Sequence, residues 1–115
     1  MSHSNTLQVP GGRVVRLHKA VTRFLEDLNS ASKAKSTVTL ETLSAVGLSR
    51  EFRQLRHVQG NLWELRVDTD KPNRLFLRYM FVMCNGDFLV THVYNKQTNT
   101  APRQEIELAL DRAKE

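Results

Sequence analysis

The stretch NLWELRVDTDKPNRLFLRYMF, residues 61 to 81, alternates apolar with polar or charged side chains, and this period of two most limits what the chain can become. Leu62, Glu64 and Arg66 alternate with Trp63, Leu65 and Val67; DTDKPN has the composition of a turn; and a second run extends from about Arg74 to Met83. NGD turns the chain again and FLVTHVY supplies a third run, so the three are expected to form an antiparallel meander. Successive side chains of a strand point to opposite faces of a sheet. Trp63, Leu65, Val67, Leu75, Leu77, Tyr79 and Phe81 are therefore predicted to share a core face, while Glu64, Arg66, Arg74 and Arg78 share the other.

Arginine is seldom fully buried without a partner, so the second face must be open to solvent, paired with Glu64, or built to hold an anion. Guanidinium forks match phosphate oxygens bidentately, which makes a phosphate backbone a fitting anion. The alternative is an ordinary wet sheet face carrying solvated cross-strand pairs. Glu64 is expected to pair with an arginine rather than act as a base. Arg78 shares its parity with Phe76, Met80 and Val82, so a C-terminal helix covering that end would leave Arg78 snorkelling at the rim.

N-terminal to the strands the period changes. Leu17, Val21, Phe24, Leu25 and Leu28 form a helical stripe, and Asn29 and Ser30 offer a stop and a new N-cap before ASKAKSTVTLETLSAVG, which ends on Gly47. LSREFRQLRHVQGN reads as a basic connector. Pro102 precedes a last helix, RQEIELALDRAKE, with Ile106, Ala109 and Leu110 on one face. Residues 1–12, ending in Pro-Gly-Gly, read as a flexible arm, and residues 13–115 as one domain. A chain of 115 residues supports one core and not two.

Charge and motifs narrow the function classes. A net charge of +5 and a pI near 9.8 favour an anionic partner. His3, His18, His57, His92 and the lone Cys84 have no metal-ligand spacing, so neither a metal nor a cofactor is expected. No phosphate-binding loop, dinucleotide glycine motif or serine-hydrolase elbow occurs. His92 reads first as a hydrogen-bonded structural histidine, although His92, Tyr94 and Lys96 would point the same way if the strand parity holds. Without a signal peptide or a membrane-length apolar run, the chain is expected in the cytoplasm with no membrane partner.

Three stretches carry a resemblance to a known family. VTRFLEDLNSASKAKSTVTLETLSAVG, LWELRV followed by Arg74, and YNKQTNTAPRQEIELALDR are similar to the helix pair, the strand signature and the ending of the HigB branch of the RelE/ParE-like toxins, over about residues 14 to 115. The resemblance implies an α+β fold of the RelE-like type: a compact domain with two N-terminal helices packed on a twisted three- or four-stranded antiparallel sheet, plus a C-terminal helix. It implies the toxin of a type II toxin–antitoxin system, a ribosome-dependent and metal-independent mRNA endoribonuclease. In such enzymes the 2′-hydroxyl attacks the neighbouring phosphate, leaving a cyclic phosphate and a 5′-hydroxyl. Partners would be mRNA, the ribosome and a HigA-like helix-turn-helix antitoxin. Arg66, Arg74 and Lys96 match the family's catalytic basic surface, with Arg78, His92, Tyr94 and Gln97 as substrate-binding neighbours. Gln97, Thr100 and Ala101 stand where many relatives have a further lysine or the threonine before the proline, so a protein of the same fold that binds RNA or antitoxin without cleaving is the alternative.

Overall fold

The computed structural model describes residues 5–97 and 102–115. Its centre is the expected meander: β4 (Leu62–Asp68), β5 (Phe76–Cys84) and β6 (Asp87–Asn95) pair antiparallel, with Leu65 opposite Tyr79 and Tyr79 opposite Val93. The rest of the sheet departs from expectation. It has six strands, not three or four, and it is mixed rather than antiparallel, in the order β1-β2-β6-β5-β4-β3.

The added strands explain the difference. β1 (Asn5–Leu7) and β2 (Val15–Leu17) are three residues each, too short for a period to show, and they precede the helices. β2 runs parallel to β6, with Val15 opposite Phe88 and Leu17 opposite Val90, so Leu17 is a buried strand residue and not the first of a helix. β3 (Leu55–Gln59) lies inside the supposed basic connector as an edge strand on β4. Within the segment read as an arm, Val9 N donates to Ser44 Oγ at 3.0 Å, and just past it Arg13 N donates to the Ser44 carbonyl at 2.9 Å. Gly12 sits so close that a Cβ there would lie 2.6 Å from that carbonyl oxygen.

Helix α1 (Lys19–Glu26) begins where the His18 side chain accepts from Ala20 N at 3.0 Å, and α2 (Ser30–Val46) begins where Asn29 Oδ1 accepts from Ser32 N at 2.8 Å. Together they carry the chain from β2, second in the sheet, to β3 at the far edge. That crossing spans four strand spacings, about 19 Å, which a helix of α2's length, about 25 Å, can cover. Both helices lie on one face over Leu65, Val67, Leu77, Tyr79, Phe81 and Val90, all essentially buried. The inner side of α2 is rich in serine, and the one under the sheet's centre, Ser36, accepts the Tyr79 hydroxyl at 2.7 Å. Burial pushes that phenol up to about 12.

The last helix, α3 (Pro102–Ala113), occupies the opposite face. Ala109 seats against Leu62, Met80 and Val82, flanked by Ile106, Leu110 and Leu89. Among the described residues no helix is long and apolar enough to cross a membrane.

Candidate functional site

Helix α3 is too short to cover its whole face, and what it leaves open is the candidate site. Strand register arranges that face in rows. Arg56 of β3, Glu64, Met80 and His92 form one; Arg66, Arg78 and Tyr94 the next; Asp68 and Phe76 the third, extended by Lys96, whose N–H donates to the Phe76 carbonyl at 2.8 Å. The parity expected for Arg66, Arg78, His92, Tyr94 and Lys96 therefore holds. Arg74 lies just before β5, and its guanidinium sits over the Phe76 ring, 5.5 Å from the centroid.

The cations differ in what they are free to do. Arg66, Arg56 and Lys96 are exposed and form no ion pair among the described residues. Arg78, expected at a solvent rim, is only 6 % exposed, with Nη1 at 2.9 Å from both Asp68 Oδ1 and the Leu77 carbonyl. Its guanidinium holds the sheet together and is committed before any ligand arrives. Arg66 and Arg78 are direct cross-strand partners, and like charges so placed repel. Asp68 offsets one of them, and a bound anion would offset the other.

Glu64 corrects another expectation. It is 7 % exposed and is the register partner of Arg56, yet among the described residues its carboxylate has no hydrogen-bond or ion-pair partner. Its carboxylate borders a cleft of about 210 Å³ shared with Arg56, Tyr94, Lys96 and Ile106. The Tyr94 phenol is raised above its ordinary value, by burial first and then by the negative charges of Glu64 and Glu105, against the opposing pull of Arg78 and Arg56. At neutral pH it therefore keeps its proton. One carboxylate, one proton-bearing phenol and two free cations line the same small cavity.

His92 belongs to a different assembly. It is buried under α3, with Nε2 2.6 Å from Glu105 Oε1 and Nδ1 3.1 Å from an Arg112 Nη1. Its ring stacks on Tyr94, centroids 5.8 Å apart and planes 14° from parallel, so its reach toward a ligand is through Tyr94. Gln97 is exposed at the end of β6, its N–H donating to Asn95 Oδ1 at 3.2 Å. Thr100 and Ala101 lie outside the described residues. Among those residues no cluster of three His, Cys, Asp or Glu is placed to share a metal ion.

The residue that sequence reasoning missed is Arg56. A register shift between His57 and Gln59 breaks the alternation of β3, which leaves only Leu55 and Val58 as a faint apolar signal within a charged stretch.

A family model described as "Phage derived protein Gp49-like (DUF891)" matches residues 23–114, from the first helix to the end of the last. No curated protein matches the chain significantly.

Proposed function

The chain belongs to the phage-derived Gp49-like proteins, a family associated with RelE/ParE-like toxins of toxin–antitoxin systems, and on that premise we propose that it is an mRNA-cleaving toxin of the HigB-like kind. The observation that carries the reading is the 210 Å³ cleft, where Glu64 and Tyr94 face Arg56 and Lys96 on an otherwise open sheet. Cleavage by an internal 2′-hydroxyl needs a proton acceptor, a proton donor and cationic charge at the phosphate, and no more. Glu64 takes the proton from the 2′-hydroxyl as its oxygen bonds to phosphorus. Tyr94 gives its proton to the departing 5′-oxygen, and the two groups then return to their starting states by exchange with water. Arg56 and Lys96 in the cleft, with Arg66 and Arg74 on the open face beside it, bind the phosphate and balance the charge that grows on its oxygens.

A HigA-like antitoxin and the translating ribosome are the partners this function requires. Glu64 and Tyr94 favour cleavage over the binding-only alternative, which has no use for an unpaired carboxylate beside a phosphate site.

The test is induction of the chain alone, with primer extension on a translated message. Growth arrest and discrete new 5′ ends are expected, both lost in Lys96→Ala or Arg74→Ala. Loss of one charge-stabilising donor slows such a step by roughly a hundredfold or more. Normal growth with soluble protein present would refute the toxin reading, and wild-type cutting by both variants would refute the site.

A further inference from the structure

Strand β4 outruns its outer neighbour. The last β3 pairing is Leu55 with Leu65; Arg66 N then donates to the Gln54 carbonyl at 2.9 Å, and beyond it Val67 and Asp68 pair only with β5. This leaves a notch in the corner of the sheet, a cavity of about 240 Å³. Lys35 of α2 forms one wall, Arg53 in the turn before β3 another, and Arg66 and Asp68 the floor.

Its charge is one-sided. Asp68 is the only carboxylate in the lining and is already bonded to Arg78 at 2.9 Å. Arg53 and Arg66 form no ion pair among the described residues, and Lys35 has only a 3.9 Å contact to Asp70, whose side chain is 93 % exposed. Solvated surface cations need no cavity. Here three of them, from a helix, a turn and a strand, converge on one.

The notch lies next along β4 from the cleft already described. Arg66, on the floor of the notch, stands two residues from Glu64, which lines the cleft, on the same face of β4 and about 7 Å along the strand. We infer that the notch is a second anion subsite, which holds a flanking phosphodiester of the RNA strand whose scissile phosphate lies at Glu64, Tyr94 and Lys96. This rests on the RNA-cleaving reading and adds a direction to it: the strand leaves the active cleft over Arg66 and turns the corner of the sheet toward α2. A phosphate is the fitting ligand, because the lining offers guanidinium and ammonium donors and its one acceptor carboxylate is taken.

The experiment measures fluorescence anisotropy of labelled, 2′-O-methylated single-stranded RNA of three and ten nucleotides binding to the full chain. The variants are Lys35→Ala/Arg53→Ala, whose side chains are exposed and outside the core, and Lys96→Ala. Wild type should bind the ten-mer more tightly than the three-mer. The double variant should lose roughly tenfold on the ten-mer and little on the three-mer, as expected for two exposed charge contacts. Its salt dependence on the ten-mer should be shallower by about 0.7 in log K against log salt, the share of one lost phosphate contact. An unchanged ten-mer affinity and slope, with Lys96→Ala weakening both lengths, would overturn the subsite alone. An equal loss on both lengths would also overturn it, since the pair would then act on the scissile phosphate or through the overall field. Wild type binding neither oligonucleotide would overturn the RNA reading and the subsite with it.

Discussion

The buried Glu105–His92–Arg112 assembly makes stability depend on pH in a defined window. Arg112 can only donate, so its contact at 3.1 Å makes His92 Nδ1 an acceptor, which leaves the proton on Nε2 to be donated to Glu105 at 2.6 Å. Both contacts are satisfied only by the neutral ring. Burial is the main reason that the His92 pKa lies below 6.5, and Arg112 lowers it further, while the hydrogen bond and charge of Glu105 pull the other way. Above 6.5 neither the folded nor the unfolded chain protonates this histidine, and its contribution to stability is fully present. Below 6.5 the unfolded chain takes up a proton that the folded chain refuses, so stability falls with pH until the lowered folded value is reached. One proton limits the slope to about 1.4 kcal/mol per pH unit. With a urea m-value of roughly 1–3 kcal/mol per molar, the midpoint moves by about 0.5–1.4 M per unit. Other groups titrate too, so the measured quantity is the difference between wild type and His92→Gln, which can still donate to Glu105 but does not titrate. The wild-type advantage should shrink from pH 7 to pH 5. Far-UV circular dichroism is the suitable probe, because it follows the helices and the sheet together and does not depend on the surroundings of a single ring. A difference that stays constant across the window would refute the neutral-ring assignment.

Three further outcomes are expected. Tyr79→Phe strands the buried Ser36 hydroxyl and should destabilise the fold by about 1–3 kcal/mol, while adding Ser36→Ala should recover most of that loss in a denaturant-monitored double-mutant cycle. Gly12→Ala drives a Cβ to 2.6 Å from both Ser44 oxygens and should cost about 1–3 kcal/mol, read as a lowered melting temperature. Glu64→Gln and Tyr94→Phe should each slow cleavage by roughly 10²–10⁴-fold with little change in RNA affinity, and the raised Tyr94 pKa places the alkaline loss of wild-type activity above pH 10; a matching loss of affinity would make them binding groups instead.

The meander was legible because three runs of seven to nine residues, rich in apolar and β-branched side chains, are parted by turn residues, even though β5 and β6 are covered on both faces and do not alternate in burial. The edges were not. Leu17, Val21, Phe24, Leu25 and Leu28 fit a helical stripe equally well whether Leu17 begins the helix or ends the strand before it, since both positions are buried. Nothing local marks β2 as parallel to β6 either, because that pairing joins segments some seventy residues apart.

Parity placed Arg66, Arg78 and Lys96 on one face, as the strand register does, yet it could not say which were free, because that depends on partners brought in by the fold. Arg78 and Glu64 exchange their expected roles for this reason: Asp68, across the turn from Arg78, captures the arginine that sequence offered to Glu64, and the glutamate is left unpaired in the cleft. The position of α3 decides the rest. The small Ala109 lets the helix approach closely, and Thr91 Oγ1 donates to the Ala109 carbonyl at 2.7 Å, which fixes the helix over the row that ends in His92. One row further along, Tyr94 stays half open. His92 therefore supports the site from beneath while Tyr94 faces it, although both have the parity of ligand-binding residues, and a period read from sequence carries no sign of where a helix more than ten residues downstream will end its cover.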